Sequence, residues 1–134
     1  MTALLENMEG IVLHAKPAAF GGRSVRIFTK ERGQEVFFAA RGIIGRCGTG
    51  LLLPFTQLRL TAARDGRRFV LRQYEGRAFF NILDLSYEEL QAWYYLIELI
   101  IRFFPAGGRD ARLYTLLLSA GKTAREKNKE LTAF

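Results

Sequence analysis

Residues Arg23 to Arg41 read RSVRIFTKERGQEVFFAAR. From Arg23 to Lys30 apolar and polar positions alternate, with Val25 and Ile27 opposite Arg26, Phe28 and Lys30. Glu31-Arg32-Gly33 is a turn, and the alternation then resumes. Val36, Phe38 and Ala40 share one parity; Phe37, Ala39 and Arg41 share the other. A period of two on both sides of a glycine turn predicts an antiparallel hairpin.

Working outward, Ile11 to Lys16 alternates as an earlier strand, with Ile11, Leu13 and Ala15 on one side and Val12, His14 and Lys16 on the other. Phe20-Gly21-Gly22 marks the turn after it. Leu58 to Ala62 and Phe69 to Glu75 are two further strands, joined at Asp65-Gly66, a strong two-residue hairpin signal. Between the third and fourth strands lies a connection holding Gly42, Gly45, Gly48 and Gly50, which reads as a flexible exposed loop. Five short strands in about 80 residues predict a small barrel of OB-fold size.

Beyond Asn81 the period becomes that of a helix. Ser86-Tyr87-Glu88-Glu89 is a capping box, and Leu85 and Leu90 stand at its staple positions. Leu90, Trp93, Tyr94, Ile97, Ile100, Ile101 and Phe104 follow at three- and four-residue spacing, and Pro105 should end the helix. After a turn over Ala106 to Arg109, Asp110 caps a second helix through Leu118, with Gly121 as its expected stop. The fold class is therefore α+β: an OB-fold-like barrel over residues 1–80 and a helical appendage of about two helices over 81–134.

Charge follows this division. The 134-residue chain carries 20 Lys and Arg against 13 Asp and Glu, net +7. Residues 1–80 hold 13 of the cations and 6 of the acids; the remaining residues hold 7 of each. The whole surplus thus belongs to the predicted barrel and points to a polyanion, because phosphate neutralisation dominates nucleic-acid affinity. Arg26, Phe28 and Lys30 interleave cations with an aromatic ring, the pattern of a surface that grips a backbone and stacks bases. Phe37 and Arg41 share the corresponding parity on the next strand, and Arg59 and Arg72 lie opposite the apolar faces of theirs, with Tyr74 expected beside Arg72.

Chemistry has few candidates. A single cysteine, Cys47, and a single histidine, His14, exclude a disulfide framework within the chain and a clustered Cys/His metal site. Gly121-Lys122-Thr123 imitates the end of a phosphate-binding loop, but Leu116 occupies the position of its first glycine and the tripeptide follows a helix. Glu88 and Glu89 are accounted for by the helix start. The chain reads as no enzyme, with no cofactor and no metal. The region from Ala92 to Phe104 is too short and too charged to span a bilayer, and Met1 to Gly10 lacks the features of an export signal, so a cytoplasmic location is expected.

The run Glu9-Gly10-Ile11-Val12-Leu13, Val25 to Thr29 with Gly33, Ala39-Ala40-Arg41-Gly42, and Leu53-Pro54-Phe55 with Leu58 resembles the N-terminal part of RecO, a bacterial recombination mediator and DNA-annealing family. Tyr94-Tyr95-Leu96-Ile97-Glu98-Leu99 is similar to the start of its helical domain. The resemblance runs from Glu9 to Pro105. It implies sequence-independent binding of single- and double-stranded DNA, strand annealing in recombinational repair, and RecR and the single-stranded DNA-binding protein as partners. It also implies that Arg41 and Arg46, in the connection after the third strand, contact DNA.

The chain departs from the family in its glycine- and isoleucine-rich connection, in lacking the four-cysteine zinc site many members carry, and in length. Glu130 to Phe134 reads as the first turn of a further helix, so a fragment, a truncated product or a minimal paralogue is expected. A different class of function, protein interaction or dimerisation through the aromatic-rich helix around Trp93, is the alternative.

Overall fold

The computed structural model describes residues 4–79, 84–104 and 110–132. Its order is β1 (Leu5–Pro17), β2 (Arg23–Thr29), β3 (Gly33–Ala39), α1 (Arg41–Cys47), β4 (Thr56–Asp65), β5 (Arg68–Ala78), α2 (Tyr87–Phe103) and α3 (Ala111–Thr132). The strands close into a barrel in the order β1-β2-β3-β5-β4. β3 and β5 are parallel neighbours, and every other pair is antiparallel. This is the five-stranded OB-like barrel that the alternation predicts.

Closure depends on β1, which is longer than its alternation suggests. Its first half pairs with β4 and its second with β2, so Gly10 is opposite both Thr29 and Leu58. A Cβ on Gly10 would stand 2.5 Å from Ile27 Cγ2, so only glycine fits where β1 passes from one neighbour to the other. Two bulges then shift side-chain parity. Leu13 is the extra residue between the Val12–Ile27 and His14–Arg26 pairs, which moves Ala15 to the side of Val12 rather than that of Ile11 and Leu13. Arg72 is the extra residue between the Leu71–Ala62 and Gln73–Thr61 pairs, which turns Tyr74 into the barrel instead of leaving it beside Arg72.

The described residues form two cores. Val12, Val25, Ile27, Phe37, Leu58, Leu60, Phe69 and Leu71 fill the barrel. Outside it, Ile11, Leu13 and Phe28 receive α2 and α3 through Ile97, Ile100, Tyr114 and Leu117. β1 is thus buried on both faces, which explains its unbroken run Ile11-Val12-Leu13. Trp93 packs its ring 5.1 Å from that of Phe55, so the helix face around Trp93 is turned onto the barrel.

The expected flexible loop after β3 contains α1, a correction. Despite its glycines it is held by burial: Ile43, Ile44 and Cys47, followed by Leu51 and Leu52, close one end of the barrel. The Asp65-Gly66 hairpin forms one residue later than expected, since Asp65 pairs with Arg68 and Gly66 takes φ +65° at the first loop position.

Both predicted helix starts are present. Ser86 Oγ accepts from the Glu89 amide at 3.2 Å and Glu89 accepts back from the Ser86 amide; Asp110 Oδ1 accepts from Leu113 N at 3.0 Å. The expected stop at Gly121 and the new helix at Glu130 are both overturned, because α3 runs through Thr132. A Cβ on Gly121 would lie 2.6 Å from the Phe79 ring, so that glycine permits close packing and does not end the helix. Pro105 and the turn Ala106–Arg109 lie outside the described residues.

Candidate nucleic-acid interface

The outer surface at the β2–β3–β5 seam is built by register. Ser24 pairs with Phe38 and Arg26 with Val36 across β2 and β3; Phe38 pairs with Val70 across β3 and β5. Their neighbours Val25, Phe37 and Phe69 point into the barrel, so this set points out. Phe38 is half-buried, and the guanidinium of Arg68 lies over its ring, 4.9 Å from the centroid. Arg72 follows on β5, exposed, and Arg46 on α1 donates from Nη2 to its carbonyl at 3.3 Å. Arg67 occupies the exposed β4–β5 hairpin. In OB-folds this strand 2–3 surface and the loops between strands 1 and 2 and strands 4 and 5 take up oligonucleotides.

The sequence-predicted residues divide accordingly. Arg46 and Arg72 meet on this surface, and Arg41, exposed at the start of α1, lies at its edge with its stem against Gly21. Arg26 is also outward on β2, but half-buried and engaged: its Nη1 donates to Gln34 Oε1. Arg26 also lines an open groove with His14, Lys16, Tyr94 and Glu98 between the barrel and α2.

Arg59 belongs elsewhere. It is in register between Glu9 on β1 and Glu75 on β5, so its cross-strand neighbours on both sides are acidic. Lys30 is exposed beyond the end of β2, where its amide donates to the Glu9 carbonyl and Glu31 is its chain neighbour.

Phe28 and Phe37 are corrections. Both are 0% exposed, Phe37 inside the barrel and Phe28 under the helices. Turning either ring out would give up about 1.5–3 kcal/mol of burial, as much as the roughly 1–3 kcal/mol a stacked base returns. They are core residues. The aromatic that sequence reasoning missed is Phe38, one position on, together with Arg68. Counting back from the Lys30–Arg32 turn would have found it, since that register pairs Val25 with Phe37 and sends Phe38 outward.

The far end of the barrel carries a separate cationic group. Arg32 forks onto Glu6, with Nε and Nη2 donating to the two carboxylate oxygens at 3.0 and 2.7 Å. Arg32 and Arg64 both lie over the Phe69 ring, at 5.2 and 5.0 Å from its centroid. Burial pushes the Glu35 carboxyl up from its ordinary range, against the pull of Arg32 and Arg64.

No protein-family model and no curated protein matches this chain. Among the described residues no helix is long and apolar enough to cross a membrane. The functional reading therefore rests on the barrel and its charge.

Proposed function

We propose that the chain is a non-catalytic DNA-binding protein of RecO type, acting in the cytoplasm, which holds single-stranded DNA without regard to sequence and anneals complementary strands in recombinational repair. The observation that carries this is the pairing of Arg68 with Phe38 on the outward β3–β5 seam of an OB-like barrel. An aromatic ring and a guanidinium plane are the two platforms on which unpaired bases stack. Here they stand together, with Arg72 farther along β5 and Arg46 on the adjoining α1 to neutralise phosphates.

Mechanistically, two complementary strands repel each other through their phosphates. A cationic surface that holds both lowers that repulsion and raises their local concentration, while releasing condensed counterions. Double-stranded DNA is bound by the same phosphate contacts. RecR and the single-stranded DNA-binding protein are the partners this reading proposes.

The test is a strand-annealing assay at low and high salt, with and without the single-stranded DNA-binding protein, alongside oligonucleotide binding. About six phosphate contacts give a slope of log K against log salt near −4 for single strands. A flat slope, or no binding at low salt, removes the proposal.

A further inference from the structure

The loop between β1 and β2 holds one side chain with no role in the fold. Phe20 is 97% exposed and its backbone lies in the left-handed region at φ +55°. That conformation is rare for a bulky residue, and glycine or asparagine would adopt it more easily. The exposed ring also forgoes burial. Two unfavourable choices at one position point to a use outside the fold.

The loop is well held. Ala18 N donates to Gly22 O at 2.9 Å and Gly22 N to Ala19 O at 3.0 Å, closing the turn on both sides of Phe20. Gly21 follows at φ +75°, and a Cβ there would stand 3.1 Å from Arg41 Cδ. The bare glycine thus lets the Arg41 stem lie against the loop. Phe20 is presented on a hydrogen-bonded tip with the Arg41 stem alongside, and Arg41 begins α1, the helix that carries Arg46.

We propose that Phe20 is a stacking wedge: its ring takes an unpaired nucleobase of a DNA strand while Arg41 holds a neighbouring phosphate. This rests on the DNA-binding reading above and adds a residue and a mode of contact to it. A single ring beside a cation matches the alternation of base and phosphate along a strand. Its neighbours Ala19, Gly21 and Gly22 add almost no apolar area, so the tip is a poor membrane anchor. Every base has a π-face, so such a contact tolerates any sequence.

The experiment compares wild type, Phe20→Ala, Phe20→Gly and Phe20→Tyr for binding to oligothymidine across a salt series, and to an abasic strand of equal length. Phe20→Ala and Phe20→Gly should bind oligothymidine about 5- to 150-fold more weakly with unchanged salt slope, and Phe20→Tyr near wild type. All four should bind the abasic strand alike. Phe20→Gly relieves the backbone, so it should melt no lower than wild type, and its loss of affinity then cannot come from unfolding.

If wild type binds with a negative salt slope and Phe20→Ala matches it, the wedge is wrong and the DNA-binding reading stands. If wild type does not bind, both fall. An equal loss on the abasic strand overturns the wedge, because the ring then does not act on a base. Loss of binding to anionic phosphatidylglycerol vesicles with oligothymidine binding intact also overturns it and assigns the ring to a membrane surface.

Discussion

Gln34, buried in the outer face of β3, donates from Nε2 to the carbonyl of Phe104 at 2.6 Å and to that of Ile100 at 3.3 Å. The last carbonyls of a helix have no partner within it. Here the barrel supplies one to the Phe104 carbonyl, while the Ile100 carbonyl also accepts from Phe104 N at 3.0 Å, and Gln34 Oε1 in turn accepts from Arg26. The side chain that ends α2 therefore comes from 66 to 70 residues away in the chain, and joins helix to barrel.

Gln34→Ala should lower stability by about 1–3 kcal/mol, since it takes the Gln34 donor from the half-buried Phe104 carbonyl and the acceptor from the Arg26 guanidinium. Urea denaturation measures this. Gln34→Glu should be destabilising as well, because it presents oxygen to the helix carbonyls. A Gln34→Ala midpoint equal to wild type would show that α2 is held by its apolar face alone.

Gly121→Ala is a test of sign. In an exposed helix interior this change stabilises by about 1 kcal/mol. Gly121 is buried with Phe79 too close for a methyl group, so the change should destabilise by about 1–3 kcal/mol through overpacking. Thermal melting reads the direction. Phe79→Leu in the same chain should recover part of the loss by making room.

Much of this fold is legible in sequence because burial imposes period two on β2 and β3 and period 3.6 on α2. What is not legible has physical causes. The bulges at Leu13 and Arg72 each shift parity by one residue, and alternation carries no mark of them. The four glycines from Gly42 to Gly50 conceal α1, whose helix is stabilised by Ile43 and Ile44 on the barrel rather than by propensity. In the candidate site, Phe37 and Phe38 are adjacent phenylalanines, and only strand register tells the core ring from the surface ring. That Arg59 has Glu9 and Glu75 as cross-strand neighbours is likewise a matter of register, which the alternation of β4 does not show.

Alkaline pH should loosen α3. Tyr114 is buried, and its hydroxyl donates to Glu9 Oε1 at 2.8 Å. Burial first, and then this hydrogen bond to a carboxylate, push its pKa well above the usual tyrosine value of about 10. The folded state therefore keeps a proton that the unfolded state releases. The resulting stability is full below about pH 10, declines as pH rises beyond it, and is lost as pH passes the folded value. The urea midpoint should fall above about pH 10, and Tyr114→Phe should be less stable at neutral pH but show a shallower alkaline decline. An identical decline in wild type and Tyr114→Phe would place the effect on other groups.

The proposed DNA surface is tested by comparing reversals that change net charge equally per residue. Arg46 and Arg72 share the β5 side of the barrel, whereas Arg59 sits between two carboxylates on another face. Arg46→Glu combined with Arg72→Glu should weaken oligothymidine binding and flatten its salt slope by about 0.7 for each phosphate that the surface no longer neutralises. On the proposed placement, which puts phosphate on the Arg46–Arg72 surface, Arg59→Glu should leave the slope unchanged. The comparison has to be made on slopes as well as affinities. A diffuse fall in positive charge weakens binding from any position, but only the release of a bound phosphate changes the number of ions displaced. Equal slopes in the two variants would mean that the surplus charge acts as a whole, with no localised site.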